Sequence, residues 1–288
     1  MRNSRLWGQL ILVVVTSAAA FVVHPLSRAE TGQEVAWKLI RSGLQSHTSE
    51  ERIAAVRVLG LLIQDRKATE LAENASRDFT PEVRRAAATA LGQMRSTAAI
   101  PRLKEMLSDK DIPVILAAAR ALVQMKDKSG YEVYYEILTG ERKGSEGLIA
   151  QQTAILHDPK KLAELSFDQG IGYIPYAGMG WDALRVILKN DSSPIRAAAA
   201  SVLADDPDPK SAQALVNASA DKNWIVRVAA IEAIAKRGDT ALRMKVEPYM
   251  YDPKLEVRYA AAGATLRLVD IKESKAADEL PQLQRPPR

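Results

Sequence analysis

The chain has 288 residues, 47% of them apolar, 26% charged and 5% aromatic, with 40 Lys+Arg against 35 Asp+Glu and a formal net charge of +5. That apolar share on that length supports a large folded body rather than wholesale disorder. The lack of any cysteine removes disulfide scaffolds, thiol nucleophiles, zinc fingers, iron–sulfur sites and cysteine lipidation.

Residues 1–29 open with Arg2 and Arg5, continue as an apolar run from Leu6 through Val23, and end at Ser27-Arg28-Ala29. A positive start, an apolar middle and a small-x-small close read as a secretory signal peptide cleaved after Ala29, with an uncleaved N-terminal membrane anchor as the alternative. Either way the folded part is expected in the periplasm or secreted, or anchored and facing outside the cytoplasm. The leader holds three arginines and no acid, so the chain from Glu30 carries 37 basic against 35 acidic residues. A surplus of two does not argue for a nucleic-acid partner.

From residue 46 onward one pattern recurs, an Ile or Val before an Arg that opens an alanine-rich stretch. It reads Val83-Arg84 with Ala86, Ala87, Ala90 and Leu91; Ile195-Arg196 with Ala198, Ala199, Val202 and Leu203; Val226-Arg227 with Ala229, Ala230, Ala233 and Ile234; and Val257-Arg258 with Ala260, Ala261 and Ala264. Weaker copies start at Arg52 and at Val114-Ile115. Consecutive anchors lie 32, 31, 81, 31 and 31 residues apart, and periods of this size mean a solenoid. The apolar positions at i, i+3, i+4, i+7 and i+8 form the buried stripe of an amphipathic helix. A shorter stripe follows each, such as Ile100, Leu103, Met106 and Leu107, so each unit is a helical hairpin that must stack on its neighbours to bury both stripes.

Thr80-Pro81 and Ser193-Pro194 predict a capping hydroxyl before a proline in the first turn. Asp78, Asp109, Asp221 and Asp252 each stand six positions before an anchor, or where an anchor would fall. There a carboxylate can accept backbone N–H bonds or meet an Arg of this or the adjacent unit, which makes Arg52, Arg84, Arg196, Arg227 and Arg258 a structural ladder rather than an anion-binding stripe.

The 81-residue gap holds one divergent repeat and an insertion. The expected organisation is an N-terminal cap at 30–45, repeats 1–3 at 46–139, an insertion at 140–159, repeats 4–7 at 160–270 with a Gly/aromatic loop at 167–181, and a disordered tail at 271–288.

The stretch "TPEVRRAAATALGQM" at 80–94, echoed by "NWIVRVAAIEAIAKRGD" at 223–239 and "SSPIRAAAASVLA" at 192–204, resembles HEAT repeats of the short bacterial HEAT-like, or phycobilin-lyase-type, class. The resemblance covers about 46–270. It implies an all-α fold, a right-handed α-solenoid (superhelix) of about seven helical hairpins, whose second helices line a concave surface that binds other proteins. It is specific for fold and weak for function, because the same unit serves many roles.

Chemistry is sparse. The HEAT-like deoxyhypusine hydroxylases hold iron with repeated His-Glu pairs, and none of His24, His47 and His157 is followed by Glu. There is no G-x-S-x-G elbow and no Walker loop. Asp205, Asp206 and Asp208 suggest either a cation site or a solvated turn, with the turn favoured. The segment "FDQGIGYIPYAGMGW" departs most from a repeat, and its aromatics either plug a gap or present Tyr173 and Tyr176 to a partner. The resulting expectation is an exported, non-enzymatic interaction scaffold with no cofactor and no metal, binding a protein or peptide partner. Its candidate contacts are Arg102, Glu105, Tyr135, Glu136, Gln213, Asn217 and Lys245 on second helices, with Tyr173 and Tyr176 on the central loop. The alternative is an enzyme or small-ligand binder with a pocket at that loop.

Overall fold

The computed structural model describes residues 30–139 and 192–283, with no strand among the described residues. The first part holds α1 (Gly32–Leu44), α2 (Ser49–Leu59), α3 (Arg66–Ala75), α4 (Pro81–Met94), α5 (Ile100–Met106), α6 (Ile112–Gln124) and α7 (Lys128–Thr139). The second holds α8 (Ser193–Leu203), α9 (Pro209–Ala218), α10 (Trp224–Arg237), the single turn α11 (Arg243–Val246) and α12 (Leu255–Leu283). The leader, the expected insertion and the Gly/aromatic loop lie outside the described residues.

The expected N-terminal cap is helix α1, which begins at a reciprocal cap. The Glu34 N–H donates to Thr31 Oγ1 at 3.2 Å, and the Thr31 N–H donates to the Glu34 carboxylate at 2.7 Å. Two orphan donors of the first turn are thereby satisfied. Thr31→Ala is expected to cost about 1 kcal/mol in urea unfolding, and an unchanged midpoint would show that the first turn does not need the cap.

Two sequence expectations are corrected here. Pro81 sits in the first turn of α4, but the Thr80 hydroxyl does not cap that helix; it accepts a bond from Arg52 Nη2 at 3.0 Å, because the guanidinium of the preceding unit reaches it. Ser193 lies inside α8, Ser192 takes the cap position, and neither caps through its side chain. The tail is corrected in part, since α12 runs on through residues 271–283. Lys272, Glu273, Lys275, Ala276 and Ala277 are exposed but include good helix formers, so the helix continues beyond its core.

Four of the five ladder arginines are paired as the spacing predicts; Arg258, with no Asp 25 or 26 residues after it, is not paired in this way. Arg52 Nε and Nη2 donate to Asp78 at 2.8 and 3.0 Å, and Arg84 does the same to Asp109 at 2.8 and 2.7 Å. Arg196 holds Asp221 at 3.1 Å twice, and Arg227 holds Asp252 at 2.9 and 2.8 Å. Each pair is a fork-to-fork bond between consecutive units. The third guanidinium nitrogen turns back to its own unit: Arg84 Nη1 reaches the carbonyls of Asp78 and Phe79, and Arg227 Nη1 those of Asp221 and Lys222. Each Asp also accepts the N–H two residues on, at Thr80, Asp111, Asn223 and Lys254. One Arg and one Asp therefore fix both a turn and the junction to the next turn.

The alanines let the anchor helices approach closely. Ala86, Ala87 and Ala90 of α4, Ala229, Ala230 and Ala233 of α10, and Ala260, Ala261 and Ala264 of α12 are all buried. Gly92 marks one such close approach, because a Cβ there would lie 2.8 Å from the Ala121 Cβ of α6. Along each half the anchor helices stack in turn: α2 on α4, α4 on α6, then α8 on α10 and α10 on α12.

The two halves meet through the ends of the chain. Helix α12 packs on both α1 and α2. Tyr259 of α12, 1% exposed, donates from its hydroxyl to Glu51 Oε1 at 3.0 Å, and its ring lies where a Cβ on Gly43 would fall. The spatial order of anchor helices is therefore α6, α4, α2, α12, α10, α8. The first repeat stacks on the last, and the two extremities of the described array, α7 and α8, flank residues 140–191 in sequence.

Candidate functional site

With six anchor helices side by side and the others packed outside them, the uncommitted faces of the anchor helices turn toward one concavity of about 630 Å3. Its lining follows the repeat register. Five positions after the anchor stand Arg57, Thr89, Ser201 and Glu232; eight after it, Gly60, Gly92, Ala204 and Ala235; nine after it, Leu61, Gln93, Gln124, Lys236 and Arg267. The expectation that second helices line the concave face is thus corrected. Alanine-rich helices pack at shorter distances than helices with bulky side chains, so the layer they form has the shorter arc and becomes the inside of the curve.

Arg57 of α2 and Glu232 of α10 both border the concavity. Burial pushes the Glu232 carboxyl up to about 7, against the opposing pull of Arg57. Lys236, one turn on, pairs with Asp205 at 2.7 Å, and Arg267 of α12 pairs with Asp270 at 3.1 Å. Arg95 stands exposed in the left-handed position that ends α4, with φ of 52°. Gln93 and Gln124 are exposed, and the hydroxyls of Thr89 and Ser201 bond back to their own helices. The concavity offers charge and amide groups over a floor of alanine and glycine, and the interhelical ladder uses none of them.

The sequence-predicted contacts fall elsewhere. None of the seven on second helices borders the concavity. Arg102 is spent on structure, donating to the Ser76 hydroxyl at 2.6 Å and carbonyl at 2.9 Å and pairing with Glu105. Gln213 and Asn217 bond each other at 2.9 Å, Tyr135 and Lys245 are exposed, and Glu136 is half-buried. Tyr173 and Tyr176 lie outside the described residues. Asp205, Asp206 and Asp208 make a turn: Asp206 accepts the Asp208 N–H, Asp208 caps α9 by accepting the Lys210 N–H, and Asp205 holds Lys236. His47 is an exposed residue of the α1–α2 turn whose carbonyl accepts from Arg52.

Sequence reasoning passed over Arg57, Gln93, Gln124 and Glu232. A signal was available, because polar residues recurring five and nine positions after the anchor fall off the buried stripe of the same helices.

No curated protein matches the chain significantly. Among solved structures it is similar to human deoxyhypusine hydroxylase in complex with glycerol, at 19% identity and TM-score 0.32 over 84% of this chain and 85% of that one. It is likewise similar to the complex of CpcE and CpcF of phycocyanin lyase from Nostoc sp. PCC7120, at 20% identity and TM-score 0.32 over 87% and 97%. An engineered protein follows at 16% identity and TM-score 0.28 over 83% and 97%. Likenesses of this size carry nothing about the concavity. The model of HEAT repeats matches residues 37–123, 68–142 and 181–267, well over half of the chain. Those matches span both halves of the ladder, and the chain belongs to the HEAT-repeat family.

Proposed function

We propose that this protein is an exported, non-enzymatic interaction scaffold that seats a protein or peptide partner on the concave face of its anchor helices. The observation that carries the reading is the division of labour along each anchor helix. The anchor Arg and the alanine stripe hold the array together, while the residues five and nine positions on are turned to a common surface outside that ladder. Polar side chains over a shaped floor, drawn from six helices, give an extended partner many small contacts in one register. Export rests on the leader at 1–29, and no helix among the described residues is long and apolar enough to cross a membrane.

A photo-crosslinking residue in the full chain, expressed in its native cells, tests the face. Placed at Gln93 it is expected to yield one discrete adduct, and at Gln213 on the outer layer none. Adducts of equal strength at both positions would sink the concave-face reading. Sequencing the N-terminus of the purified protein tests export, with Glu30 as the expected first residue; Met1 on protein from the cytoplasmic fraction would refute it.

A further inference from the structure

Helix α8 stands at one extremity of the described array with a bare apolar face. The side that packs on α10 is closed, with Ala197, Ala200 and Ala204 buried. On the other side Ile195 is 50% and Val202 73% exposed, and Ala199 between them is exposed as well. The other anchor helices bury the same places. Val83, Val114, Val226 and Val257 stand where Ile195 does and are at most 1% exposed. Ala55, Ala87, Ala118, Ala230 and Ala261, at the place of Ala199, are fully buried. Val58, Ala90, Ala121, Ala233 and Ala264, at the place of Val202, are 5% exposed or less.

The array itself shows what normally covers this stripe. In α6, Ala121 meets Gly92 of the helix stacked before it, α4, where a Cβ would lie 2.8 Å from the Ala121 Cβ. In α2, Val58 meets Gly263 of α12 in the same way, at 2.9 Å. The place of Val202 is therefore the one that takes the unit stacked before its own helix, and α8 is the anchor helix of the second half that lacks such a unit among the described residues. A stripe of this kind is buried only by a neighbouring repeat.

The chain ahead of α8 carries apolar residues in the register such a unit needs. Trp181, Leu184, Ile187 and Leu188 repeat the spacing of Ile100, Leu103, Met106 and Leu107. Leu188 stands five residues before Ser193, where α8 begins, as Leu107 stands five before Ile112, where α6 begins. Five residues span about 17 Å at full stretch, and packed helices lie about 8–10 Å apart, so this stripe is tethered within reach of the bare face. Such a short tether gives it an effective concentration on the order of mM, with which a free partner or a second copy must compete.

We propose that residues 160–189 of the same chain, which lie outside the described residues, cover the bare face of α8, with Trp181, Leu184, Ile187 and Leu188 meeting Ile195, Ala199 and Val202. This face is then spent within the chain and is not a surface for a partner. The inference does not depend on what the concave face binds.

Because the chain has no cysteine, Val202→Cys carries a single thiol. In the purified full chain that thiol is expected to react with a maleimide about tenfold more slowly than the exposed reference Lys254→Cys, at a rate that does not change on dilution. A photo-crosslinking residue at position 202 is expected to give an internal link to a peptide within 160–189, on protein with the mass of one chain. If Val202→Cys disturbs the stacking, Ile195→Cys, at the other end of the stripe, carries the same test. Reaction as fast as the reference would overturn the proposal by showing the face open. Protection that is lost on dilution, with links on protein of twofold mass, would overturn it in favour of a second copy, and a link to any other protein would assign the face to a partner.

Discussion

Replacing Arg84 by Ala is expected to lower the unfolding free energy by about 3–5 kcal/mol, the cost of leaving one member of a largely buried ion pair without the other. The side chains of Arg84 and Asp109 are 16% and 12% exposed, so neither is solvated enough to recover in water what it loses. The substitution deletes the fork onto Asp109 and also the bonds from Nη1 to the carbonyls of Asp78 and Phe79, at 3.0 and 3.1 Å. Lysine is not expected to rescue it, because a single ammonium cannot span a carboxylate and two carbonyls at once. Arg66→Ala supplies the comparison: Arg66 also pairs with an acid, Glu70 at 2.9 Å, but it is 93% exposed and its loss should stay within about 0.5 kcal/mol. Urea unfolding of the three variants beside wild type decides the matter, and a loss below 1 kcal/mol for Arg84→Ala would mean that the ladder records the stacking without supporting it.

The same pairs fix the acid response. Burial alone would raise the carboxyl groups of Asp78, Asp109 and Asp221, but the guanidinium and backbone N–H donors around each outweigh it and hold all three below the usual carboxylate value. A group depressed in the folded state contributes stability that is complete above its unfolded value and is lost as pH falls through the folded one. The gap in stability between wild type and Asp109→Asn should therefore be full at neutral pH and close as the pH drops from about 4 downward. A gap that did not change with pH over this range would show that the Asp109 carboxyl is not held below its unfolded value.

What could be read in the chain and what could not divide along a physical line. The ladder was legible because an Arg and the Asp that follows it, 25 or 26 residues on, recur at fixed spacing and have complementary chemistry; the alanine stripe was legible because its period is that of a helix. Both are local. The side of the curve on which each layer lies is not local, since it depends on which layer packs more tightly, and the bulk of residues such as Leu103, Met106, Tyr131 and Tyr134 beside the alanines was the clue that went unweighed. That the last repeat stacks on the first depends on small rotations added up over every unit. No motif states it, and Tyr259, a large aromatic where the other units carry Ile53, Arg85, Leu116, Ala197 and Val228, reads as one more core residue until Gly43 and Glu51 are seen beside it.

Tyr259→Ala should separate those ends. Removing a fully buried aromatic costs about 3–5 kcal/mol, and here the cavity would open between the first and last repeats rather than inside either. The Tyr259 phenol is held well above its ordinary value by burial and by Glu51, so it remains the donor in its bond to that carboxylate at neutral pH. Tyr259→Phe isolates that bond and should cost only about 1.5–3 kcal/mol, the range for a hydrogen bond to a charged group. Because the chain has no cysteine, Ser42→Cys and Lys254→Cys give two exposed and unique labelling sites on either side of the junction. In the Tyr259→Ala background the distance between labels is expected to lengthen and broaden at temperatures below the main melting transition, while in Tyr259→Phe it should stay narrow. A distribution that stays narrow up to the main transition in both would show that the junction is no weaker than the repeats it joins.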